Sequence, residues 1–332
     1  MCPARNAAQR APSGSRPERF VFLLLDNFTF IAFAGAIEPL RIANRMAERT
    51  LYEWQVVSES GEPVTASNGV TVRCDAAMAD AAREAVIIVV GGLNVKRATT
   101  RPILTWLRRE ARRGLPVGAI CTGAQVLAEA GLLDGRRCTI HWENRDGFEE
   151  DFPEIELTQS IYVVDRDRYT AAGGAASTDL MLNLIARKHG TELANLVADQ
   201  MIHTAIRSER DAQRLSIPTR IGVRHPKLSE VIARMEANVE EPISPTVLAR
   251  DSGMSTRQLE RLFRRYLDRT PKRYYMELRL GRARNLLLQT NLSVINVALA
   301  CGFTSPSHFS KCYRALYRTT PYRERGTSEG AA

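Results

Sequence analysis

Two groups of residues in this 332-residue chain have the types and spacing to do chemistry. The first is centred on Cys121, in Ile120-Cys121-Thr122-Gly123, between an apolar run that reads as a strand and a stretch that reads as a helix. A side chain at so sharp a strand-to-helix turn is lifted to the top of a sheet, and a helix N-terminus favours a thiolate. His141 follows in Thr139-Ile140-His141-Trp142-Glu143, and Glu38 is a carboxylate within reach of a triad reading. Such a set suits nucleophilic catalysis. It equally suits a buried cysteine, a core histidine and a surface carboxylate, and spacing alone leaves both open.

The second group is a duplicated pattern between Ile243 and Arg323. One copy reads Ser244, Leu248-Ala249, Gly253-Met254-Ser255, Leu259, Phe263-Arg264, Pro271. The other reads Ser293, Val297-Ala298, Gly302-Phe303-Thr304, Phe309, Tyr313-Arg314, Pro321. In each, a Ser N-cap opens a short apolar helix. A glycine then stops it, because glycine enters the left-handed region cheaply. Ser255 or Thr256, and Thr304 or Ser305, cap a second helix. On the first of these second helices Leu259, Leu262, Phe263 and Tyr266 share one face. Arg257, Arg261 and Arg264 project together from the other, with Gln258 beside them. On the second, Phe309, Cys312, Tyr313 and Leu316 are expected to pack, and Ser307, His308, Lys311 and Arg314 to face out. Each copy is a helix-turn-helix, whose second helix enters the major groove, where Arg and Lys suit guanine or phosphate.

The segment between the copies, Lys272 to Gln289, reads as one helix with Tyr275, Leu278, Ala283, Leu286 and Leu287 as its stripe. Eighteen residues span roughly 27 Å at the α-helical rise, and successive major-groove faces lie about 34 Å apart. One rigid helix is therefore expected to hold both heads on one side of double-stranded DNA.

Charge placement agrees. The formal net charge is +9, and from Lys227 onward 18 of the 46 basic and 10 of the 37 acidic residues give +8 of it. An excess confined to one domain is the footprint of nucleic-acid binding. No basic amphipathic helix with a free apolar face points to a membrane surface, and no run approaches the roughly 20 apolar residues of a membrane span. Six cysteines without paired spacing read as reduced, hence cytoplasmic. There is no CxxC or His-rich tract, so neither metal nor cofactor is expected.

The elements that must position Cys121 precede it. Phe20-Val21-Phe22-Leu23-Leu24-Leu25, Trp54 to Ser58, Ala85 to Val90 and Leu115 to Ile120 read as strands, the continuous apolar ones buried on both faces. Helices are expected over Phe33 to Arg45, Pro102 to Arg113 and Ala124 to Ala130, and Ser67-Asn68-Gly69-Val70 carries a hairpin signal. Strands alternating with helices predict a parallel α/β sheet with helices on both faces, with ligands at the carboxyl ends of the strands. Tyr169 to Ala172, Gly173-Gly174 and a helix from Thr178 continue the pattern. A helix from Glu192 to Arg207 closes it. The expected division is a disordered tail over 1–18, a sensing domain over 19–207, a linker over 208–226, a DNA-binding domain over 227–325 and a disordered tail over 326–332.

The run GMSTRQLERLFRRYLDRTP, the link RLGRARNLL and LSVINVALACGFTSPSHFSKCYR together resemble the AraC/XylS family of transcription regulators. That resemblance implies a seven-helix domain with two motifs and base-reading positions at Arg257, Arg261, Pro306, Ser307, His308 and Lys311. The pieces VIIVVGG and VGAICTGAQVLAEAGLLDGRRCTIHW are similar to the ThiJ/PfpI, or class I glutamine amidotransferase-like, fold of flavodoxin type. The two joined resemble the GlxA-type regulators, and CTIHWENRDGFEEDFPEIE and AAGGAASTDLMLNLIARKHG resemble the branch that responds to quaternary amines and arginine. The protease members of the fold carry His directly after the cysteine. Thr122 stands there in this chain, which favours binding over hydrolysis; the competing reading is a cysteine amidohydrolase or glyoxalase-like enzyme. The resemblance implies an effector pocket at Glu38, Gly92, Cys121, Thr122, His141, Trp142, Glu143, Gly173 and Gly174. Trp142, Phe28, Phe30 and Phe33 are candidate faces for a trimethylammonium group, and Glu38 and Glu143 candidate partners of a guanidinium. It also implies an activator that meets RNA polymerase and forms a homodimer.

Overall fold

The computed structural model describes residues 16–330, with side chains as far as 325. Of the tails expected over 1–18 and 326–332, residues 1–15 and 331–332 lie outside the described residues; Glu18 already opens the first strand, and 326–330 continue the last helix instead of forming a disordered tail. The chain forms two compact units. One holds the residues up to Trp142 together with Glu154–Gln213; the other holds Glu143–Pro153 together with everything from Arg214.

The first unit is built on a seven-stranded sheet. β1 (Glu18–Leu24) leads through α1 (Phe30–Met46) to β2 (Tyr52–Ser58). The hairpin expected at Asn68-Gly69 is β3 (Val64–Thr65) against β4 (Thr71–Val72), with Gly69 at φ +86° in its turn. β5 (Ala76–Ala77), β6 (Val86–Val90), α2 (Val95–Ala98), α3 (Arg101–Arg112), β7 (Val117–Ile120), α4 (Gly123–Glu129) and β8 (Arg137–Cys138) follow. After α5 (Arg145–Asp151), the chain continues through β9 (Glu156–Leu157), β10 (Tyr162–Asp165), β11 (Arg168–Ala171), α6 (Ala176–His189) and α7 (Thr191–Gln200). The strand order is β10-β11-β7-β6-β1-β2-β5. All neighbours are parallel except β10, which folds back on β11 at the edge. α1, α6 and α7 pack together, as do α2, α3 and α4. β6 is buried along its whole length, as its unbroken apolar sequence requires.

Strand order reverses between β1 and β6. In such sheets the crevice outside the carboxyl ends at that switch is where ligands sit. Here those ends run into Asp26-Asn27-Phe28-Thr29 and Gly91-Gly92. One expectation fails: the helix from Glu192 does not reach Arg207. α7 stops at Gln200, and Ile202 takes φ +56° with 86% of its surface exposed. His203 and Arg207 are drawn instead onto a buried carboxylate.

The second unit begins with α8 (Ile217–Ile221) inside the stretch read as linker. Seven helices follow: α9 (Pro226–Ala237), α10 (Pro245–Asp251), α11 (Thr256–Leu267), α12 (Pro271–Gln289), α13 (Val294–Ala300), α14 (Pro306–Tyr317) and α15 (Pro321–Gly330). Side-chain hydroxyls cap them where the sequence places caps. Ser244, Ser255, Ser293 and Ser305 each accept from the amide three residues on, at 3.3, 3.2, 3.1 and 3.3 Å. Thr270 does the same for α12. Gly253 and Gly302 sit at φ +64° and +72°. α12 serves two cores. Tyr275 joins Leu228, Ile232, Leu248, Leu259 and Phe263, whereas Leu280, Ala283, Leu286 and Leu287 join Val297, Phe303, Phe309 and Tyr313. α5 belongs to this unit: Asp146 approaches Arg282 at 3.5 Å, and Gln289 Nε2 donates to the Glu143 carbonyl at 3.0 Å.

Candidate effector pocket and DNA-reading surface

Cys121 occupies the turn between β7 and α4 at φ +59°, a left-handed conformation in a non-glycine residue. The elbow read from the sequence is therefore real, and its strain is of the kind that clusters at functional sites. Cys121 is held by its amide, which donates to the Ala171 carbonyl at 3.0 Å. Its Sγ lies 3.3 Å from Thr29 Oγ1. Gly173 presses against it: a Cβ there would stand 2.9 Å from Cys121 Cβ and 3.2 Å from Sγ. Only glycine permits that approach. Gly174 follows at φ +54° with open space where a side chain would point.

Thr122 is buried, and its hydroxyl donates to the Gly92 carbonyl at 2.7 Å. Gly92 in turn bridges to Phe28, and Thr29 N–H donates to Gly91 O at 3.0 Å. Cys121, Thr122, Gly92, Gly173 and Thr29 thus form one tightly knit floor at the strand ends. Thr122 is engaged in holding two loops together. Burial pushes the Cys138 and Cys301 thiols up to about 12, which keeps them inert.

The other expected pocket residues divide. His141 is half-buried, with its ring 5.6 Å from that of Trp142, and Trp142 is 42% exposed, an accessible aromatic face. Glu143 is exposed and grouped with the second unit. Glu38 does not join the thiol. It pairs with Arg41 at 2.6 Å on the open side of α1. Nine residues separate it from Thr29, roughly 13 Å along a helix axis. Phe28 and Phe33 form no cage either: both are buried and pack edge-on at 5.7 Å, with Phe33 also against Phe22. Phe30 remains half-buried beside Phe28. Thr29 was missed. A hydroxyl residue just before a helix that follows the first strand is an N-cap signal at a ligand-bearing strand end.

On the second unit Arg257, Gln258, Arg261 and Arg264 are exposed along α11, lining a shallow concavity with Ser255, Glu260 and Arg265. Leu259 and Phe263 on the opposite face are fully buried. Ser255 and Gln258 form a capping box: Gln258 Oε1 accepts from Ser255 N–H at 2.8 Å. That oxygen is occupied, so Gln258 faces outward with its amide NH2 alone. Thr256 is half-buried at the first turn. Before and along α14, Thr304, Ser305, Pro306, Ser307, His308, Lys311 and Arg314 are exposed. His308 Nε2 lies 3.3 Å from Cys312 Sγ one turn later, so its ring is already oriented. Leu316, expected to pack, is 38% exposed.

The heads are fixed to each other through α12. Arg279 Nε and Nη2 donate to the Cys301 and Gly302 carbonyls at 2.8 and 2.6 Å, and its guanidinium stacks 4.2 Å from the Phe303 ring centre. The Gly302 turn lies on the loop before α10, where an added Cβ would meet Pro242 Cγ at 2.6 Å. Tyr275 donates to Asn238 O from the other end of the helix.

A mostly parallel α/β domain with an elbow cysteine, joined in one chain to a paired helix-turn-helix domain, defines a DNA-binding regulator. Residues 19–187 match the DJ-1/PfpI family and residues 248–326 a helix-turn-helix domain. The chain is 49% identical over 306 residues to the HTH-type transcriptional regulator CdhR of Pseudomonas aeruginosa, covering 92% of this chain and 91% of that one. It is 46% identical over 314 residues to the HTH-type transcriptional regulator GbdR of the same species, covering 95% and 86%. Among solved structures it is similar to an AraC family transcriptional regulator from Pseudomonas putida, at 31% identity and TM-score 0.51 over 56% of this chain and all of that one. The chain belongs to the AraC-family transcription regulators that carry an N-terminal DJ-1/PfpI domain. No described helix is long and apolar enough to cross a membrane.

Proposed function

We propose that this regulator senses a small amine-bearing metabolite, such as a betaine, carnitine or arginine, in the strand-end pocket of its first unit, and responds by activating transcription from adjacent operator DNA. The observation that carries the reading is the floor around Cys121. Thr122 is locked to Gly92 and Gly173 closes on the thiol; separately, Trp142 lies against His141 with 42% of its surface exposed. That arrangement offers binding surface and a buttressed shape; the position after the cysteine holds a structural hydroxyl. An exposed indole face suits a quaternary ammonium through its quadrupole. The reading assigns no enzymatic turnover to the domain.

On the DNA side, Arg257, Arg261 and Arg264 with Ser255, Thr256 and Gln258 read one major groove. Thr304, Ser305, Pro306, Ser307, His308, Lys311 and Arg314 meet the next. Support comes from the segregation of α11, with arginines out and Leu259 and Phe263 in, and from the capped helix ends. Pro306 fits the first helical turn but donates nothing, so the first head supplies more of the hydrogen-bonded specificity. The protein acts in the cytoplasm as a homodimer that engages RNA polymerase.

Calorimetry with glycine betaine, carnitine and arginine tests the pocket. One of them is expected to bind, and Trp142→Ala is expected to weaken a quaternary ammonium by roughly 3- to 30-fold, the range of cation–π energies. Binding of none, by a folded protein that still shifts its operator, would remove the sensing assignment.

A further inference from the structure

The stretch that leads out of the first unit is not a free tether. Residues 203–213 lie on that unit as a strap, fastened at both ends. At one end Asp179, fully buried, receives His203 Nε2 and the Arg207 backbone N–H at 2.9 Å each, and Arg207 Nε and Nη2 at 2.9 and 2.6 Å. Midway, Arg137 pairs with Glu209 at 3.3 Å, and Ala212 bridges antiparallel to Ser160. At the other end Gln213 Nε2 reaches Thr139 Oγ1 at 2.9 Å and the Ile140 and Ser160 carbonyls at 3.0 Å each.

The fasteners are placed where a pocket would be felt. Asp179 is in the first turn of α6, which starts three residues after Gly173, the glycine closed on Cys121. Thr139 and Ile140 run straight into His141 and Trp142. The chain passes from the first unit to the second at 142/143 and again at 213/214. Gln213 therefore clips together the two segments by which the chain leaves the pocket region. The strap's own apolar residues contribute little: Ile206 is 39% exposed, and Ala205 and Ala212 are exposed as well. With scant apolar burial, the strap is held by these polar bonds alone, so it releases as a unit only when Asp179 and Gln213 trade their partners, which is the physical character of a switched segment.

We propose that residues 203–213 are the transmission element of this regulator. Occupancy of the Cys121 pocket shifts the start of α6 and the 139–142 segment, and so sets whether the strap is fastened. The strap in turn sets how the second unit meets DNA. This rests on the effector pocket proposed above. Coupling of this kind is reciprocal: what an effector does to DNA affinity, DNA does to effector affinity, typically by about 5- to 150-fold.

The test uses the full-length protein with Arg207→Gln and Gln213→Ala, both at partly exposed positions, and Asp179→Asn as the buried counterpart, each checked for an intact melting transition. Hydrogen exchange of the 203–213 amides is expected to rise at least ~10-fold in each variant with the sheet amides unchanged. In wild type, a duplex from its own upstream region is expected to alter exchange in the strap, and the variants to bind that duplex with an affinity changed by at least ~5-fold. Unchanged strap exchange on DNA binding, together with wild-type DNA affinity in Arg207→Gln and Gln213→Ala, overturns the proposal. Glycine betaine, carnitine and arginine are then added. If none binds, the pocket reading fails, and the DNA comparison still judges the strap. If one binds with equal affinity in wild type and variants and leaves strap exchange untouched, the strap proposal fails while the pocket stands.

Discussion

Arg279 offers the sharpest test of whether the two heads read as one body. It makes two charge-assisted hydrogen bonds to the carbonyls of Cys301 and Gly302 and stacks on Phe303. Hydrogen bonds involving a charged group contribute about 1.5–3 kcal/mol each, and a cation–π contact about 0.5–2 kcal/mol. Burial of the guanidinium opposes these gains and lowers its pKa. A net of about 2 kcal/mol, or roughly 30-fold, is a reasonable expectation for the docking of the second head on α12. Arg279→Met keeps the apolar stem and removes the fork, and Arg279→Lys keeps charge without the two-pronged geometry. The assay is operator affinity at fixed salt, with single base substitutions in each half-site. In wild type, a wrong base pair in either half costs about 1–3 kcal/mol. In Arg279→Met, penalties in the half-site read by α14 should fall well below that while those under α11 persist, with Arg279→Lys between. Equal penalties in both half-sites of a folded Arg279→Met protein would refute the rigid two-headed reader.

Replacing Arg257 and Arg261 together by Ala should abolish sequence-preferring band shifts and flatten the salt dependence, because counterion release falls with each lost phosphate or base contact; a retained specific shift contradicts their groove assignment. Cys121→Ser should leave effector-dependent transcription within a few-fold of wild type, measured with a reporter, whereas loss of response would restore chemistry to the thiol. Burial, and then Lys188, hold the His189 pKa below its ordinary 6.5. Its neutral form is favoured in the fold, so the stability it contributes is full above about pH 6.5 and is lost as pH falls toward the lowered value. Denaturant midpoints of wild type should therefore drop between pH 7.5 and 5.5 more than those of His189→Gln, and parallel curves would sink that account.

Much of this protein was legible in its residues. Caps at Ser244 and Ser293, left-handed glycines at 253 and 302, and a single α12 followed from local rules whose partners lie within four residues, while the fold chose Ser255 over Thr256 and Ser305 over Thr304. The unbroken apolar runs announced strands buried on both faces, and the Ile120-Cys121-Thr122-Gly123 step announced its own turn, because both depend on a residue and its immediate neighbours. What the sequence left open were the partners chosen across distance. Glu38 is a free carboxylate on paper; in the fold, helix rise carries it away from Cys121 and Arg41 takes it, while Thr29 reaches the thiol. The helix expected on paper to Arg207 ends at Gln200, because a buried carboxylate on α6 takes His203 and Arg207. A buried charge must be satisfied by whatever the tertiary structure brings to it. Local sequence determined which elements form and which chemistry they display. Only the tertiary structure decided which groups meet, because hydrogen bonds and burial over long separations depend on topology, not on spacing.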